Sequence, residues 1–216
     1  KTDFSFSSDG ERKTFDCVFI AVHGGEGENG SLQGYFELLN LPYTGSGILA
    51  SALSMNKFQC KKILANSPHV NLAEDWLMKN VRDVDLISES TYPVVVKPNG
   101  SGSSHGVSKA HSKDELIKSL EHALEFDTEV LVEETIVGTE VTIGVMVTKE
   151  GERHVLPITE THYKGDIFDT KAKLSQEFSE LITPARLSEE VAEKCRKAAL
   201  AAYLAIGCNG IVRIDF

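Results

Sequence analysis

The chain has no Cys-x-x-Cys pair, no long apolar run and no phosphate loop in the usual order, and each absence removes a class of protein. Its four cysteines, Cys17, Cys60, Cys195 and Cys208, stand apart, without a neighbouring histidine at metal-ligand spacing. With the seven histidines scattered as well, a zinc site has little support. The cysteines read as buried thiols, Cys17 inside "DCVFIAV" and Cys195 on the apolar face of a helix. No apolar stretch approaches the ~18 residues that a membrane span needs. The opening "KTDFSFSSDGERK" is not signal-like, which points to a cytoplasmic protein. Basic excess is missing too. A net charge of -10 argues against nucleic acid or an anionic membrane as a general partner, so any phosphate site must be local. Repeats and low-complexity segments do not occur.

What is present is material for one large or two small cored domains, with 216 residues of which 41% are apolar. "FDCVFIAVHGG" (15–25) has the continuous apolar character of a central strand ending in a glycine turn. "GSLQGYFELLN" spaces Leu32, Phe36 and Leu39 as a helix. "SALSMNKFQCKKILANS" predicts a second, with Ser51 as a cap and Ala52, Met55, Cys60, Ile63 and Leu64 toward the core. "VNLAEDWLM" reads as extended and "VRDVDLISES" as loop. "YPVVVKP" is a strand, and "GVSKA" returns from it as the second arm of a hairpin. "SKDELIKSLEHALEF" begins with a capping box, Ser112 and Glu115, and presents Leu116, Leu120 and Leu124 on one face. "EVLVEETI", "TEVTIGVMVT" and "ERHVLPITET" are strands. "SEEVAEKCRKAALAAYLAIGC" is a long helix stopped at Gly207. "GIVRIDF" is a last strand. Antiparallel hairpins mixed into strand-helix alternation predict α+β modules beside a parallel sheet.

Four stretches carry candidate chemistry. "KPNGSGSSHG" (97–106) follows a strand with a lysine and then a glycine/serine loop, the reverse of the order in which a phosphate loop ends on Gly-Lys-Ser/Thr. Its free N–H groups and hydroxyls could wrap an anion, or the stretch could be a hairpin tip with a snorkelling lysine. "HGGEGENGSLQG" (23–34) puts a histidine, acids and glycines at the C-terminal end of the first strand and before a helix, where α/β proteins hold ligands. Glu133 and Glu140 flank a turn and suit either a ribose or lysine partner or a solvated strand edge. Arg213 and Asp215 alternate on a strand expected to face inward, so both point to one side. There they suit metal-phosphate chemistry or a structural salt bridge.

Together, "HGGEGENGSLQG", "YTGSGILASALSMNK", "VVVKPNGSGSSHGVSK", "LVEETIVGTEVTIGV", "FDTKAKL", "ITPARL" and "IGCNGIVRIDF" occur in the order and spacing of the D-alanine:D-alanine ligases. The chain resembles these members of the ATP-grasp superfamily from Phe15 to Phe216. The resemblance implies an α+β/α/β architecture: an ATP-grasp fold of two α+β subdomains (58–132 and 133–216) preceded by part of a Rossmann-like N-terminal domain (1–57). It implies that ATP phosphorylates one D-alanine carboxylate and that the amine of a second D-alanine attacks the acyl phosphate. Lys57 and Lys97 match the two phosphate lysines. The loop 99–106, with Ser103 and Ser104, matches a cover over the triphosphate. Glu133 and Ile136 match the adenine hinge and Glu140 the ribose acid. Lys173 matches the mobile-loop lysine. Arg213 matches the arginine that stabilises the tetrahedral intermediate, and Asp215 a ligand of Mg²⁺ (or Mn²⁺). His23, with Glu26 or Glu28, lies in the substrate-pocket motif. A cytoplasmic homodimer is implied as well.

Two departures qualify the match. Leu174 stands where the family usually has a tyrosine, which keeps open a ligase that joins D-alanine to D-lactate. The family's first strand with its glycine-rich turn, and its Glu-x-Asn metal ligands after "RIDF", do not occur in these 216 residues. The isolated chain is therefore expected to bind ATP weakly without turnover, or to be a noncatalytic nucleotide-binding module. His105 occupies a position that the family often fills with an apolar residue.

Overall fold

The computed structural model describes residues 3–102, 104–163 and 179–216. Ser103, Lys173 and Leu174 therefore lie outside the described residues. A hairpin, β1 (Ser5–Ser8) and β2 (Glu11–Thr14), opens the chain. Phe4, just before it, packs edge-on against Phe36 of helix α1 (Ser31–Leu39) and at a tilt against Phe15, which also stacks on Phe6.

The central strand expected over 15–25 does not form. Val18 alone makes a parallel bridge to Tyr43, held by Val18 N–H to the Pro42 carbonyl (2.8 Å) and Thr44 N–H to the Val18 carbonyl (3.0 Å). A central strand needs a partner on each edge, and the described residues supply one short one. Phe19 and Val22 are consequently exposed, and Cys17 is an exposed thiol rather than a buried one. That bridge is what the described residues show of a parallel sheet; the strand pairs are all antiparallel.

The helix expected over 51–67 is two helices, α2 (Ile48–Met55) and α3 (Lys57–Leu64). Asn56 takes an extended backbone between them, and its side-chain oxygen accepts from Gln59 N–H, capping α3. Ser51 lies inside α2 instead of capping it, and Ala52 is exposed.

Two antiparallel sheets follow. The first runs β3 (Asp75–Met78), β6 (Val130–Glu134), β4 (Val94–Pro98), β5 (Ser108–Ala110). A 3₁₀ turn at Val81–Leu86 occupies part of the stretch read as loop. Helix α4 (Lys113–Ala123) covers one face, burying Leu116 and Leu120 against Val94, Val96, Val130 and Val132. Ser112 caps α4 by accepting from Glu115 N–H, while the Glu115 carboxylate reaches His111 N–H.

The second sheet runs β10 (Ser179–Ile182), β9 (Thr159–Tyr163), β7 (Glu140–Val147), β11 (Ile211–Asp215), with β8 (Arg153–Val155) also on β7. The stretch expected as a single strand over 152–161 is thus two. Helix α5 (Glu189–Ile206) seals this sheet with Ala192, Ala199 and Tyr203 against Val141, Ile143 and Val145. It ends, as its sequence predicts, on Gly207 at φ 73°. Helices α2 and α3 also approach α5, so α3 lies between the parts that carry the two sheets. Ser46 accepts from Asn209 N–H at 3.0 Å and fastens that joint.

Candidate nucleotide and acyl-transfer site

Strand alternation decides which side chains meet. In β4, Val94 and Val96 go to the core, so Val95 and Lys97 go to the other face. In β6, Val130 and Val132 are core, which leaves Glu133 on the face of Lys97, diagonal to it across the antiparallel pair. The Glu133 carboxylate ion-pairs with Lys97 and, at 2.6 Å, with Lys61 from α3. Asp75, directly opposite Glu133 on β3, lies 3.6 Å from Lys61. Burial pushes the Glu133 carboxyl upward, but Lys97 and Lys61 outweigh it and hold the group below the ordinary carboxylate range.

Lys57, the first residue of α3, donates to the carbonyls of Pro98 (3.1 Å), Asn99 (3.2 Å) and Ser101. Burial, helped by the charge of Lys97, pushes its ammonium down to about 8, while Asp127 and Glu133 pull it back. The base of the glycine loop is built by Asn99, which is almost wholly buried. Its amide donates to Asn56 Oδ1 (3.1 Å) and Glu129 Oε2 (3.0 Å), and its oxygen accepts from Phe58 N–H (2.9 Å). The loop thus hangs from the start of α3. Gly106 closes it at φ 70°, where a Cβ would sit 2.8 Å from the Phe126 ring. His105 is exposed on this loop, and Ser104 takes a positive φ of 59°.

The chain passes from the first sheet to the second through 135–139, and there Ile136 and Val137 are exposed. Glu140, exposed, begins β7 opposite Thr161 of β9.

Arg213 and Asp215 do share one face of β11, but that face is exposed, correcting the inward orientation expected for it. Val212 and Ile214 are the residues that pack on the core. The guanidinium clamps the carboxylate through Nε to Oδ1 (3.1 Å) and Nη2 to Oδ2 (3.3 Å), so the salt bridge weighed as an alternative is present. Thr142, the cross-strand partner of Asp215, donates to Oδ1 at 2.6 Å. His23 and Glu28 are both exposed, with His23 Nδ1 3.6 Å from Glu28 Oε1 and Glu26 in the 3₁₀ turn between them.

The structure therefore brings Lys57, Lys97 and Glu133 into one group, Arg213 with Asp215 into a second, and His23 with Glu28 into a third. Sequence reasoning missed Lys61, and took Asn99 as the start of the loop without its anchoring role. Lys61 follows Lys57 by four residues, one helical turn, and that spacing could have revealed it. Among the described residues no three His, Cys, Asp or Glu side chains cluster to hold a metal ion.

A two-sheet α+β framework with lysines at a glycine-rich loop is that of the ATP-grasp ligases, and solved structures agree. VanG D-Ala:D-Ser ligase from Enterococcus faecalis superposes with a TM-score of 0.81 at 33% identity, over 95% of this chain and 60% of that one. The D-alanine–D-alanine ligase from Bacillus anthracis gives 0.78 at 35%, over 94% and 65%. Within that class the family models described as D-ala D-ala ligase N-terminus and C-terminus match residues 1–46 and 64–216. The D-alanine–D-alanine ligase of Phocaeicola vulgatus is 41% identical over the whole chain, which spans 67% of that protein. That of Halalkalibacterium halodurans is 40% identical over 93% of the chain and 66% of its own length. The chain belongs to the D-alanine–D-alanine ligase family.

Proposed function

We propose that the chain carries the nucleotide site and part of the catalytic machinery of an ATP-dependent ligase that joins two D-alanines for peptidoglycan synthesis. The carrying observation is the pair Lys57 and Lys97 at the root of the glycine/serine loop, both on backbone fixed by Asn99 and the β4–β6 ladder. Their ammoniums would exchange carbonyl and carboxylate acceptors for phosphate oxygens. Ile136 offers an exposed apolar contact for adenine, Glu133 would share that hinge, and Glu140 offers a hydrogen-bond acceptor for ribose. Ser103, Ser104 and Lys173 would cover the triphosphate.

In the reaction, a D-alanine carboxylate oxygen attacks the γ-phosphorus of ATP and ADP leaves. The amine of the second D-alanine then attacks the acyl carbon, loses a proton, and phosphate departs with the C–O bond. Arg213 would neutralise the oxyanion of that tetrahedral intermediate. Its partner Asp215 is exposed, so the guanidinium can turn to substrate at little cost. His23 and Glu28 would line the D-alanine pocket. Mg²⁺ is commonly held by one or two carboxylates with phosphate oxygens completing the shell, and Asp215, oriented by Thr142, fits that sparse mode. When bound there, the ion (Mg²⁺ or Mn²⁺) would offset negative charge on the transferring phosphoryl group.

The same reading divides the chain near 57 and, because β6 continues through Glu134, in the 135–139 connection. It places the enzyme in the cytoplasm as a homodimer, on family resemblance. No helix among the described residues is long and apolar enough to cross a membrane. The D-lactate alternative is not favoured by relatives named D-alanine–D-alanine ligase.

Titration of ATP into native protein and Lys97→Ala tests the proposal. Loss of a charge-assisted hydrogen bond should weaken binding about 10- to 100-fold. Unchanged affinity would overturn it.

A further inference from the structure

We propose that Lys61 is a positioning residue for nucleotide binding, holding the Glu133 carboxylate in place and charged when Lys97 leaves it for a phosphate oxygen. The inference rests on the reading of Lys97 as a phosphate ligand. Glu133 is shared by two ammoniums that differ in their freedom. The side chain of Lys61 is 10% exposed, and its Nζ donates to the Ala73 carbonyl at 2.8 Å as well as to Glu133 at 2.6 Å. Asp75, 3.6 Å away, adds a further anchor and is itself met by Lys62 at 3.3 Å. Lys97 is 24% exposed, sits at the loop, and can turn away from the carboxylate.

The groups facing Glu133 are Lys97 from β4, Asp75 from β3, and Lys61 and Lys57 from α3. Once Lys97 turned to phosphate, Glu133 would face Asp75 across the strand pair with Lys61 as its hydrogen-bonded counter-ion. A buried carboxylate without one is strongly disfavoured. Native protein therefore binds ATP with Glu133 ionised throughout. Without Lys61, binding would strand the carboxylate, so either Lys97 stays or Glu133 takes up a proton. Proton uptake on binding means affinity that rises as pH falls.

Calorimetric titration of ATP into native protein, Lys61→Met and Lys61→Arg, in buffers of different ionisation enthalpy, reads this directly. Relative to native protein, Lys61→Met should bind ATP about tenfold or more weakly near pH ~8, recover toward native affinity at about pH 5.5, and take up about one proton more than native protein, in which Lys57 alone is expected to titrate. Lys61→Arg, which keeps the charge, should restore most of the affinity and bind without that proton. Native affinity and native pH dependence in Lys61→Met, beside a lowered thermal midpoint, would make Lys61 merely structural and overturn the inference. If Lys61→Met does not fold, the same change in a Glu133→Gln background has no carboxylate to strand. There it should leave ATP affinity at the Glu133→Gln value, and a further loss would overturn the inference. Lys97→Ala separates the two readings. If it leaves ATP binding intact, the nucleotide-site reading fails; if it weakens binding and Lys61→Met does not, only the present inference fails.

Discussion

On the four-stranded sheet Glu133 sits between Lys61 and Lys97 with little access to water, whereas on the five-stranded sheet Arg213 and Asp215 pair in the open. The same kind of ion pair has a different consequence in each place. A buried set fixes geometry, because removing a member leaves a charge without either partner or solvent. An exposed pair fixes little, because water replaces a lost partner at almost no cost. The first sheet therefore holds its lysines ready at set positions, and the second offers an arginine that is free to be redirected.

The largest effect should come from the buried side. Glu133→Ala leaves Lys61 enclosed with Asp75 at 3.6 Å and the Ala73 carbonyl as its remaining partners, which should cost up to about 3 kcal/mol in denaturant unfolding. A loss under about 1 kcal/mol would mean that Lys61 reaches water, and the contrast between the sheets would collapse.

Next in size is an effect of pH at Lys57. Its ammonium is pushed down to about 8 from an ordinary 10.5. In free protein the charge proposed to hold phosphate is lost as pH rises through about 8, so ATP affinity should fall roughly tenfold per unit above it. Lys57→Arg, charged throughout, should lack that limb. Stability moves the other way. Between about 8 and 10.5 the unfolded chain binds more protons than the folded one at this residue, so folding stability should rise with pH there. An alkaline limb that survives in Lys57→Arg would assign the titration to another group.

Legibility in the sequence followed the range of the signal. The first-sheet hairpin, helix α4 and helix α5 were readable because their periodicity, caps and Gly207 act within a few residues. The failures needed partners that pattern alone does not name. The apolar run 15–25 looks like a central strand until its edges are found to meet, among the described residues, only Pro42–Thr44. Asn56 breaks a helical pattern because its side chain is claimed by Gln59 and Asn99, the latter 43 residues away. At the site, Lys57, Lys97, Arg213 and Asp215 were visible through motif resemblance. Lys61 was passed over despite standing one helical turn from Lys57, since a lysine on a helix reads as solvated unless the strand opposite is known to carry Glu133 and Asp75.

The smallest stability effect is expected from Arg213→Ala, and there the contrast between the sheets is sharpest. Both members of its pair are more than two-thirds exposed, so the change should move unfolding free energy by less than about 1 kcal/mol. If Arg213 meets the oxyanion as proposed, the same change in a catalytically active ligase that contains this chain should lose about 10²–10³ in kcat, as removal of one such donor does elsewhere. Affinity for ATP should hold, because Lys57 and Lys97 are untouched. Parallel urea unfolding, ATP titration and turnover on this variant read the three quantities separately. A large loss of stability would make Arg213 structural rather than free to be redirected, and unchanged kcat would remove it from the chemistry.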